Sequence, residues 1–286
     1  MRVIHLIGGG DTGGAKTHVL NLLKELNQYI DAQLFCFRKG DFSEDAAKMG
    51  IPIEVIESGN PVVGLRELKR RLAGQKVDII HCHGARGNLM GNLIKKHLGA
   101  PVVTTVHSDY RLDYLGRPVA RLSYGTTNMV ALRRVNFYIG VSDPMTDILI
   151  ERDFPADRIY TIYNGIDMTP PERLVPRDAF LRGFGLDFPA DSINIGIAAR
   201  LNPVKDMSTL IRGFAAGYAA CPRLRLVIAG DGEEREKLGA LARELGVEKQ
   251  VTFAGWISGG MDQFYASLDI NALTSLSETF PYALTE

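Results

Sequence analysis

Two glutamates at the end of the sequence are the first candidates for chemistry. Glu278 and Glu286 have seven residues between them and follow an apolar run at residues 269–273, which predicts a strand. A carboxylate in a loop after a strand can accept hydrogen bonds from both hydroxyls of a diol. The pair could therefore hold a ribose and a sugar. The alternative is a solvated loop glutamate followed by an ordinary helical glutamate.

Arg200 and Lys205 carry the complementary charge. They flank a loop between a strand predicted at residues 193–199 and a helix predicted at residues 208–218. An arginine fork and a lysine point charge beside a helix N-terminus are suited to a diphosphate leaving group. No Asp-x-Asp at a strand end offers a magnesium site, so protein cations would have to neutralise that group. The alternative is two solvated basic residues.

A glycine-rich loop follows the first predicted strand, residues 3–7, and precedes a helix predicted at residues 15–26. Gly8, Gly10 and Gly13 fit the dinucleotide pattern G-x-G-x-x-G. The next strand ends in Arg38-Lys39 instead of an acidic residue. This alternative would therefore be an oxidoreductase that uses a phosphorylated nicotinamide cofactor.

The same loop resembles a P-loop that is one residue too long. The residues after its last glycine, Gly14, are Ala15, Lys16 and Thr17, and the extra residue would move Lys16 away from a phosphate. The safer prediction is a loop that lets an anion approach the backbone closely at the top of a parallel sheet.

Strands alternate with helices through both halves of the chain. This order predicts an α/β fold with two doubly wound parallel sheets, in which ligands bind at the carboxyl ends of strands. We predict a first domain at residues 1–168, a linker at 169–176 and a second domain at 177–286. His83, His107 and Asn164 fall at predicted strand ends in the first domain.

Three histidines of the first domain invite separate interpretations. His81 and His83 share one face of a strand, which would suit two zinc ligands, but the nearby sequence offers no third or fourth ligand. We therefore expect no metal, a buried His81 and a cleft-facing His83. His107 is either a loop histidine or a neutral or cationic donor to a sugar hydroxyl or a developing charge.

The strands of the second domain end in residues suited to a flat ring. A Gly-Asp-Gly turn at residues 230–232 closes one strand, and Gly255 closes the next. Trp256 and Ile257 then offer apolar surface to a base, or Trp256 simply packs between strand and helix.

Composition narrows the class of protein. The formal net charge is zero, which gives no general electrostatic argument for nucleic acid binding. The three cysteines are far apart, as expected of free thiols in a reducing cytoplasm. We see no signal peptide and no run long enough to span a bilayer. The basic clusters at residues 69–71, 95–96 and 133–134 are solvated helix faces or a docking surface for an anionic membrane.

Together these residues resemble the large family of retaining glycosyltransferases (family 4, group 1) that contains sucrose and sucrose-phosphate synthases and many bacterial lipopolysaccharide and capsule transferases. The resemblance covers essentially the whole chain, although Lys16 stands where the family commonly has Glu. It implies the GT-B fold, two Rossmann-like domains that face a cleft. The matching stretches are residues 13–16, 78–83, 105–109, 141–142, 164–167, 200–205, 229–232, 251–256 and 278–286.

The resemblance also implies donor-binding roles. Arg200 and Lys205 would hold the diphosphate of a nucleotide sugar, and His107 would touch the sugar near the transferred carbon. Glu278 would bind sugar hydroxyls and Glu286 the ribose diol. The other donor contacts would come from the first-domain loop, the base side and the backbone after Glu278, namely Gly13, Gly14, Gly230, Trp256, Ile257 and Phe280. Pro281 has no N–H to contribute.

The acceptor would be a saccharide or a lipid-linked saccharide, in cell-envelope or exopolysaccharide synthesis. The resemblance implies attack on the face from which the phosphate leaves, with no protein nucleophile and no cofactor or metal. It also implies further residues after Glu286, so the sequence reads as C-terminally incomplete, and a binding-only fragment is the alternative function. The expected location is the cytoplasm, at the inner face of the membrane. Acceptor candidates are Thr12, Lys16, His83, Arg86 and Asp109.

Overall fold

The chain forms two compact units, Met1–Gly165 and Ile166–Glu286. They are seen in a computed structural model that describes residues 1–10, 13–112, 115, 125–166, 175–257 and 260–285. Within those ranges, none of the helices is both long enough and apolar enough to cross a membrane.

The first unit is a seven-stranded parallel sheet with the strand order β3-β2-β1-β4-β5-β6-β7. Its strands are β1 (Arg2–Ile7), β2 (Asp31–Cys36), β3 (Ile53–Val55), β4 (Ile79–His83), β5 (Val102–Val106), β6 (Phe137–Gly140) and β7 (Ile159–Thr161). Its described α-helices are Gly14–Leu26, Asp41–Lys48, Pro61–Arg71, Gly84–Leu98, Thr126–Leu132 and Asp143–Glu151. A 3-10 turn spans Ala156–Arg158.

The second unit is a four-stranded parallel sheet with the order β10-β9-β8-β11. Its strands are β8 (Ile193–Ala198), β9 (Leu224–Ala229), β10 (Val251–Gly255) and β11 (Ile270–Asn271). Its described α-helices are Arg177–Gly183, Met207–Ala220, Arg235–Glu244, Met261–Ala266 and Tyr282–Thr285, with a 3-10 turn at Pro203–Lys205.

Apolar strands and one-sided helices explain both cores. In the first unit, β1 and β2 bury their side chains under the helix Gly14–Leu26, which contributes Val19, Leu20 and Leu23. In the second, β8 and β9 pack against the helix Met207–Ala220 through Ile211 and Phe214. Central strands of parallel sheets are covered on both faces, so they form nearly continuous apolar runs.

Each sheet reverses its strand order at one point. In the first unit β1 is followed along the chain by β2 on one side, and β4 later pairs on the other side. In the second unit β8 lies between β9 and β11 in the same way. Crevices at the carboxyl ends of strands next to such a switch point are the usual ligand sites of open α/β sheets.

The predicted α/β class with two parallel sheets is confirmed. The sequence patterns missed the helices Asp41–Lys48 and Thr126–Leu132, and the strand predicted at residues 269–273 is reduced to Ile270–Asn271. Residues 169–174 of the predicted linker lie outside the described ranges, so the linker and the two domain limits remain predictions.

Candidate functional site

The switch point of the second sheet carries an ion pair between Lys205 and Glu278. Lys205 ends the 3-10 turn after β8, and Glu278 lies in the loop after β11. The Lys205 Nζ donates a hydrogen bond to Glu278 Oε1, and the two side chains are 26% and 21% exposed. The predicted cation and the predicted carboxylate therefore meet while both remain accessible to solvent.

The two loops that carry this pair are joined by hydrogen bonds. The single O–H of Thr274 is shared between the carbonyl oxygens of Lys205 (3.2 Å) and Asp206 (3.1 Å). The backbone N–H of Leu276 donates to the carbonyl of Val204 at 2.8 Å. These bonds hold the two loop backbones together, so Lys205 and Glu278 lie next to each other without a ligand.

Asp206 directs the chain from this loop into the following helix. It has a left-handed backbone (φ 41°), which is uncommon for a residue with a side chain. Its carboxylate accepts hydrogen bonds from the N–H (3.3 Å) and the hydroxyl (2.7 Å) of Thr209, so it caps the helix Met207–Ala220. The helix therefore begins at Met207, two residues after Lys205.

The backbone of Gly230 lies against the loop after β8. Its N–H donates to the carbonyl of Gly255 at 2.6 Å, and its φ is +134°. A Cβ at this position would collide with the carbonyl oxygen of Ala199. Gly230 therefore lets the ends of β8, β9 and β10 approach one another. Its predicted contact with a donor remains a prediction, as does that of the exposed Arg200, which follows β8 at the same sheet edge.

Trp256 lies at the carboxyl end of β10 and is 59% exposed. The alternative in which it packs between strand and helix is therefore wrong. Ile257 is partly buried against the cluster of Leu181, Val227 and Phe264. Phe280 is half-buried, with its ring 5.2 Å from the ring of Tyr282. Glu286 lies outside the described residues, so its predicted ribose contact stays a prediction.

The first unit presents a glycine loop at the end of β1. Gly13 has a φ of +66° and precedes the helix Gly14–Leu26, so the first N–H groups of that helix follow the loop. Gly13 and Gly14 are both exposed, as contact with an anion would require. Thr12, a predicted acceptor residue, lies outside the described residues.

Lys16 is held by the neighbouring helix Asp41–Lys48. Its ammonium lies 2.6 Å from the Asp45 carboxylate, and hydrogen bonds from Lys16 and then Lys48 lower the pKa of Asp45. The other acceptor candidates are also anchored within the unit. Arg86 donates to the carbonyls of Ser58 and Gly59, and Asp109 forms a mostly buried bidentate ion pair with Arg152. The roles of these residues in acceptor binding remain predictions.

Five histidines meet beneath the switch point of the first sheet. His5 of β1 pairs in register with His81 of β4, and His83 follows on the same face. The His5 Nδ1 and His83 Nε2 atoms are 3.2 Å apart, and the His83 Nδ1 and His107 Nε2 atoms are 3.3 Å apart. His18, from the helix Gly14–Leu26, packs edge-on against His107 with ring centroids 4.9 Å apart.

Burial keeps this histidine cluster neutral. It lowers the pKa of His5 to about 3 and that of His18 to about 4. It also lowers the pKa values of His81, His83 and His107 well below the usual range, since a charged imidazole would lose its solvation there. Of the two forms predicted for His107, neutral and cationic, this environment favours the neutral donor.

One sequence prediction about these histidines is wrong. His83 is fully buried instead of cleft-facing, because both of its ring nitrogens bond to neighbouring histidines. A third imidazole does lie near His81 and His83. One ring nitrogen from each of His5, His81 and His83 lies within 4.8 Å of the other two. Three buried neutral imidazoles are ligands that zinc accepts, so this group is the metal candidate among the described residues.

Sequence reasoning missed His5, His18 and Thr274. His5 meets His81 only through the parallel pairing of β1 with β4, and residue spacing along the chain does not reveal that register. The signal that could have found it is a histidine in the middle of an otherwise apolar strand. Thr274 lies in a predicted strand-to-loop segment where its hydroxyl has no distinctive pattern.

Two α/β units, each with a parallel sheet and one switch point, match the GT-B class of glycosyltransferase folds, and comparison with known proteins shows that class. A profile for Glycosyltransferase Family 4 matches residues 12–169, and one for Glycosyl transferases group 1 matches residues 184–286. The chain belongs to glycosyltransferase family 4.

The individual relatives share less than a third of their residues with this chain. An uncharacterized glycosyltransferase of Methanocaldococcus jannaschii is 28% identical over 73% of the chain, which spans 54% of that relative's length. A UDP-Gal:alpha-D-GlcNAc-diphosphoundecaprenol alpha-1,3-galactosyltransferase of Escherichia coli is 26% identical over 91% of the chain and 69% of its own length. The structure of Anabaena HepE with UDP and glucose superposes with a TM-score of 0.80 at 21% identity, over 99% of this chain and 76% of HepE.

Proposed function

We propose that this chain takes part in transferring a sugar from a nucleoside diphosphate sugar to a saccharide or lipid-linked acceptor, with retention of anomeric configuration. The observation that carries the proposal is the pair of Lys205 and Glu278 at the second switch point. A cation for the diphosphate and a carboxylate for sugar hydroxyls lie next to each other there, beside the helix that begins at Met207.

Each partner of the pair changes its bond when a donor binds. The ammonium of Lys205 would turn from Glu278 to the diphosphate oxygens, and Arg200 would add a forked donor. Glu278 would then accept hydrogen bonds from sugar hydroxyls. Because the two loops are already joined through Thr274 and Leu276, little ordering is needed on binding.

The proposed reaction breaks the bond between the anomeric carbon and the phosphate oxygen. The acceptor oxygen attacks the face from which the phosphate departs, and the acceptor's hydroxyl proton passes to that phosphate. Lys205 and Arg200 would stabilise the negative charge that develops on the leaving group, without a metal ion. His107, neutral at the carboxyl end of β5, would donate a hydrogen bond to the sugar.

Donor turnover and product configuration test this proposal. The protein is incubated with UDP-glucose, UDP-galactose or their GDP and ADP counterparts, and NMR records the anomeric proton of any product. UDP sugars come first because HepE is seen with UDP and the Escherichia coli relative uses UDP-Gal. An α-linked product from an α-linked donor is expected. A β-linked product would contradict retention, and binding without any turnover would support the binding-only alternative.

A basic groove on the first unit supports contact with an anionic membrane surface during cell-envelope glycan synthesis. The groove lies between the helices Gly84–Leu98 and Thr126–Leu132, and Lys95, Lys96 and Arg134 line it. Leu93 and Val130 are exposed at the same place. Burial, and then the charges of Lys96 and Arg134, lower the pKa of Lys95. Clustered positive charge beside apolar side chains is suited to acidic lipid headgroups.

The predicted basic cluster at residues 69–71 provides a matched control for that surface. Arg70 and Arg71 both pair with Glu67, and Arg71 also pairs with Glu54, so their charge is largely neutralised. Lys96→Glu should reduce sedimentation with phosphatidylglycerol vesicles severalfold, whereas Arg70→Glu should change it little. Equal binding of the unmodified protein to phosphatidylcholine vesicles would contradict an electrostatic contact.

A further inference from the structure

Two consecutive hydrogen bonds link three imidazoles in the histidine cluster. His83 lies in the middle, with Nε2 facing His5 Nδ1 at 3.2 Å and Nδ1 facing His107 Nε2 at 3.3 Å. A neutral imidazole has one N–H and one acceptor nitrogen. His83 must therefore donate on one side and accept on the other, so the chain of three neutral rings has only two proton arrangements.

His5 distinguishes these arrangements. If the protons point towards His5, its Nδ1 accepts and its Nε2 carries the proton. If they point towards His107, the Nδ1 of His5 carries the proton and its Nε2 is bare. The side chain of His5 is fully buried, and within the described part of the chain its Nε2 has no hydrogen-bonding partner.

A buried N–H without an acceptor is the more costly of these two outcomes. Orphaned N–H donors are rarer in folded proteins than acceptors that are not satisfied, and losing a donor's hydrogen bond costs its full desolvation. The arrangement with the proton on His5 Nδ1 avoids that penalty. His5 then donates to His83, and His83 in turn donates to His107.

We propose that His5 and His83 are positioning residues that hold His107 as a neutral ring with its proton on Nδ1 and none on Nε2. In this state the Nδ1 of His107 can only donate a hydrogen bond. For the ligand, the inference rests on the proposed function, in which that N–H reaches an oxygen of the donor sugar. The tautomer itself is a property of the free protein.

Two further histidines pack around the three hydrogen-bonded imidazoles and hold these rings in place. His81 stacks on His83 with centroids 4.5 Å apart and packs at a tilt against His5 at 4.7 Å, while its own Nε2 bonds to the hydroxyl of Thr105 at 2.8 Å. His18 faces His107 from the helix Gly14–Leu26. Among the described residues His81 therefore packs against the same rings as His5, but its hydrogen bond goes to Thr105 instead of His83 or His107, which makes it a matched control.

Nuclear magnetic resonance tests the tautomer directly. Long-range proton–nitrogen correlations on protein with ¹⁵N-labelled histidine give the protonation state of each ring nitrogen, and His97, which is exposed, gives a reference signal. At pH 7.5 the Nε2 of His107 should show the shift of an unprotonated nitrogen and its Nδ1 that of a protonated one. A His107 with the proton on Nε2, or with both nitrogens protonated, would overturn the inference without any variant.

Substitution of His5, at one end of the row of hydrogen-bonded imidazoles, tests whether His5 sets the tautomer of His107. His5→Phe keeps a ring in the stack but removes the donor, so both nitrogens of His107 should move towards averaged shifts. His81→Phe should leave them unchanged. Identical His107 spectra in the two variants would overturn the positioning role. Circular dichroism confirms that each variant is folded, and the unmodified protein still decides the tautomer if one is not.

Two additional measurements distinguish the proposed tautomer from a bound metal ion and from the proposed sugar transfer. Stoichiometric zinc in the purified protein, lost in His5→Phe, would mean that the ring nitrogens hold a metal instead of shared protons. If no sugar is transferred but His107 carries its proton on Nδ1, the proposed function is contradicted and the proposed tautomer is confirmed. If transfer proceeds while the Nε2 of His107 is protonated, only the present inference falls.

Discussion

The two sheets have different kinds of side chain at the same topological position, neutral and buried in one and charged and partly exposed in the other. At the switch point of the first sheet, between β1 and β4, the side chains are buried neutral imidazoles. At that of the second, between β8 and β11, they are a partly exposed lysine and glutamate on loops. All six histidines of the chain lie in the first unit, so the second unit has none.

The difference follows from the cost of burying charge. Side chains that belong to the strands themselves, such as His5 and His83, lie under a helix and must stay neutral. Lys205 and Glu278 lie beyond the strand ends, where water still solvates them, so they keep their charges at modest cost. The first site should therefore respond to acid, and the second to charged ligands.

The largest expected effect is the loss of stability of the first unit in acid. The pKa values of His5 and His18 are lower in the folded state, so the unfolded chain binds protons more readily. The contribution of the two neutral histidines to the free energy of unfolding is complete above the unfolded pKa of 6.5. It is lost as the pH falls towards about 4 for His18 and about 3 for His5. Each loses about 1.4 kcal/mol per pH unit, so on the order of 5 kcal/mol should disappear by about pH 4.5.

Urea unfolding at several pH values checks this prediction. Circular dichroism reports both units, whereas the fluorescence of the single tryptophan, Trp256, reports the second. At pH 4.5 the circular dichroism signal should be lost at lower urea concentration than the tryptophan signal changes. A first unit with the same midpoint at pH 4.5 and 7.5 would contradict a buried neutral cluster.

The next largest effect concerns Glu278→Gln. This change removes the carboxylate that accepts sugar hydroxyls but leaves Lys205 unpaired and available to a diphosphate. We expect the affinity for a nucleotide sugar to fall about tenfold, or roughly 1.4 kcal/mol, while that for the free nucleoside diphosphate is unchanged or rises. Titration calorimetry with UDP-glucose and UDP measures both. Equal losses for both ligands would place Glu278 on the diphosphate side instead.

A smaller effect is expected from Thr274→Val, which removes the hydroxyl that joins the two loops. The free energy of unfolding should fall by about 1 kcal/mol, as for a typical hydrogen bond, and UDP affinity should fall severalfold. Thr209→Val is the control, because it loses a bond to Asp206 without releasing the loop after β11. If Thr209→Val weakens UDP binding more than Thr274→Val, the helix cap and not the loop connection positions Lys205.

The smallest effect is expected from Lys16→Ala. Its ion pair with Asp45 links two helices near the surface, and such pairs contribute about 0 to 1 kcal/mol. Thermal unfolding should therefore show little change. A large loss of transfer activity with unchanged stability would support the predicted acceptor role.

Much of the fold and of the second site was predictable from sequence. Apolar runs and glycine loops predicted the strands, and Lys205 and Glu278 were both predicted to follow strands. The order of strands in the sheet then brings them together, since β8 and β11 are neighbours. The helix Asp41–Lys48 was missed because it is short and mostly polar, with only Phe42, Ser43 and Ala46 buried.

The first site was less predictable, because its contacts depend on register. His5 and His81 are far apart in sequence, and a shift of one residue in the pairing of β1 with β4 would have pointed His5 to the other face. The burial of His83 likewise depends on two partners from distant segments, His5 of β1 and His107 just after β5. Such contacts between distant segments have no local sequence signature.

Binding of UDP to the unmodified protein and to two lysine variants tests the central claim most directly. Lys237 forms a surface ion pair with Glu234 in the same unit, so Lys237→Ala is matched to Lys205→Ala in charge and in partner type. Titration calorimetry should show affinity reduced at least tenfold in Lys205→Ala and unchanged in Lys237→Ala. Equal UDP affinity in all three proteins would contradict a diphosphate site at Lys205.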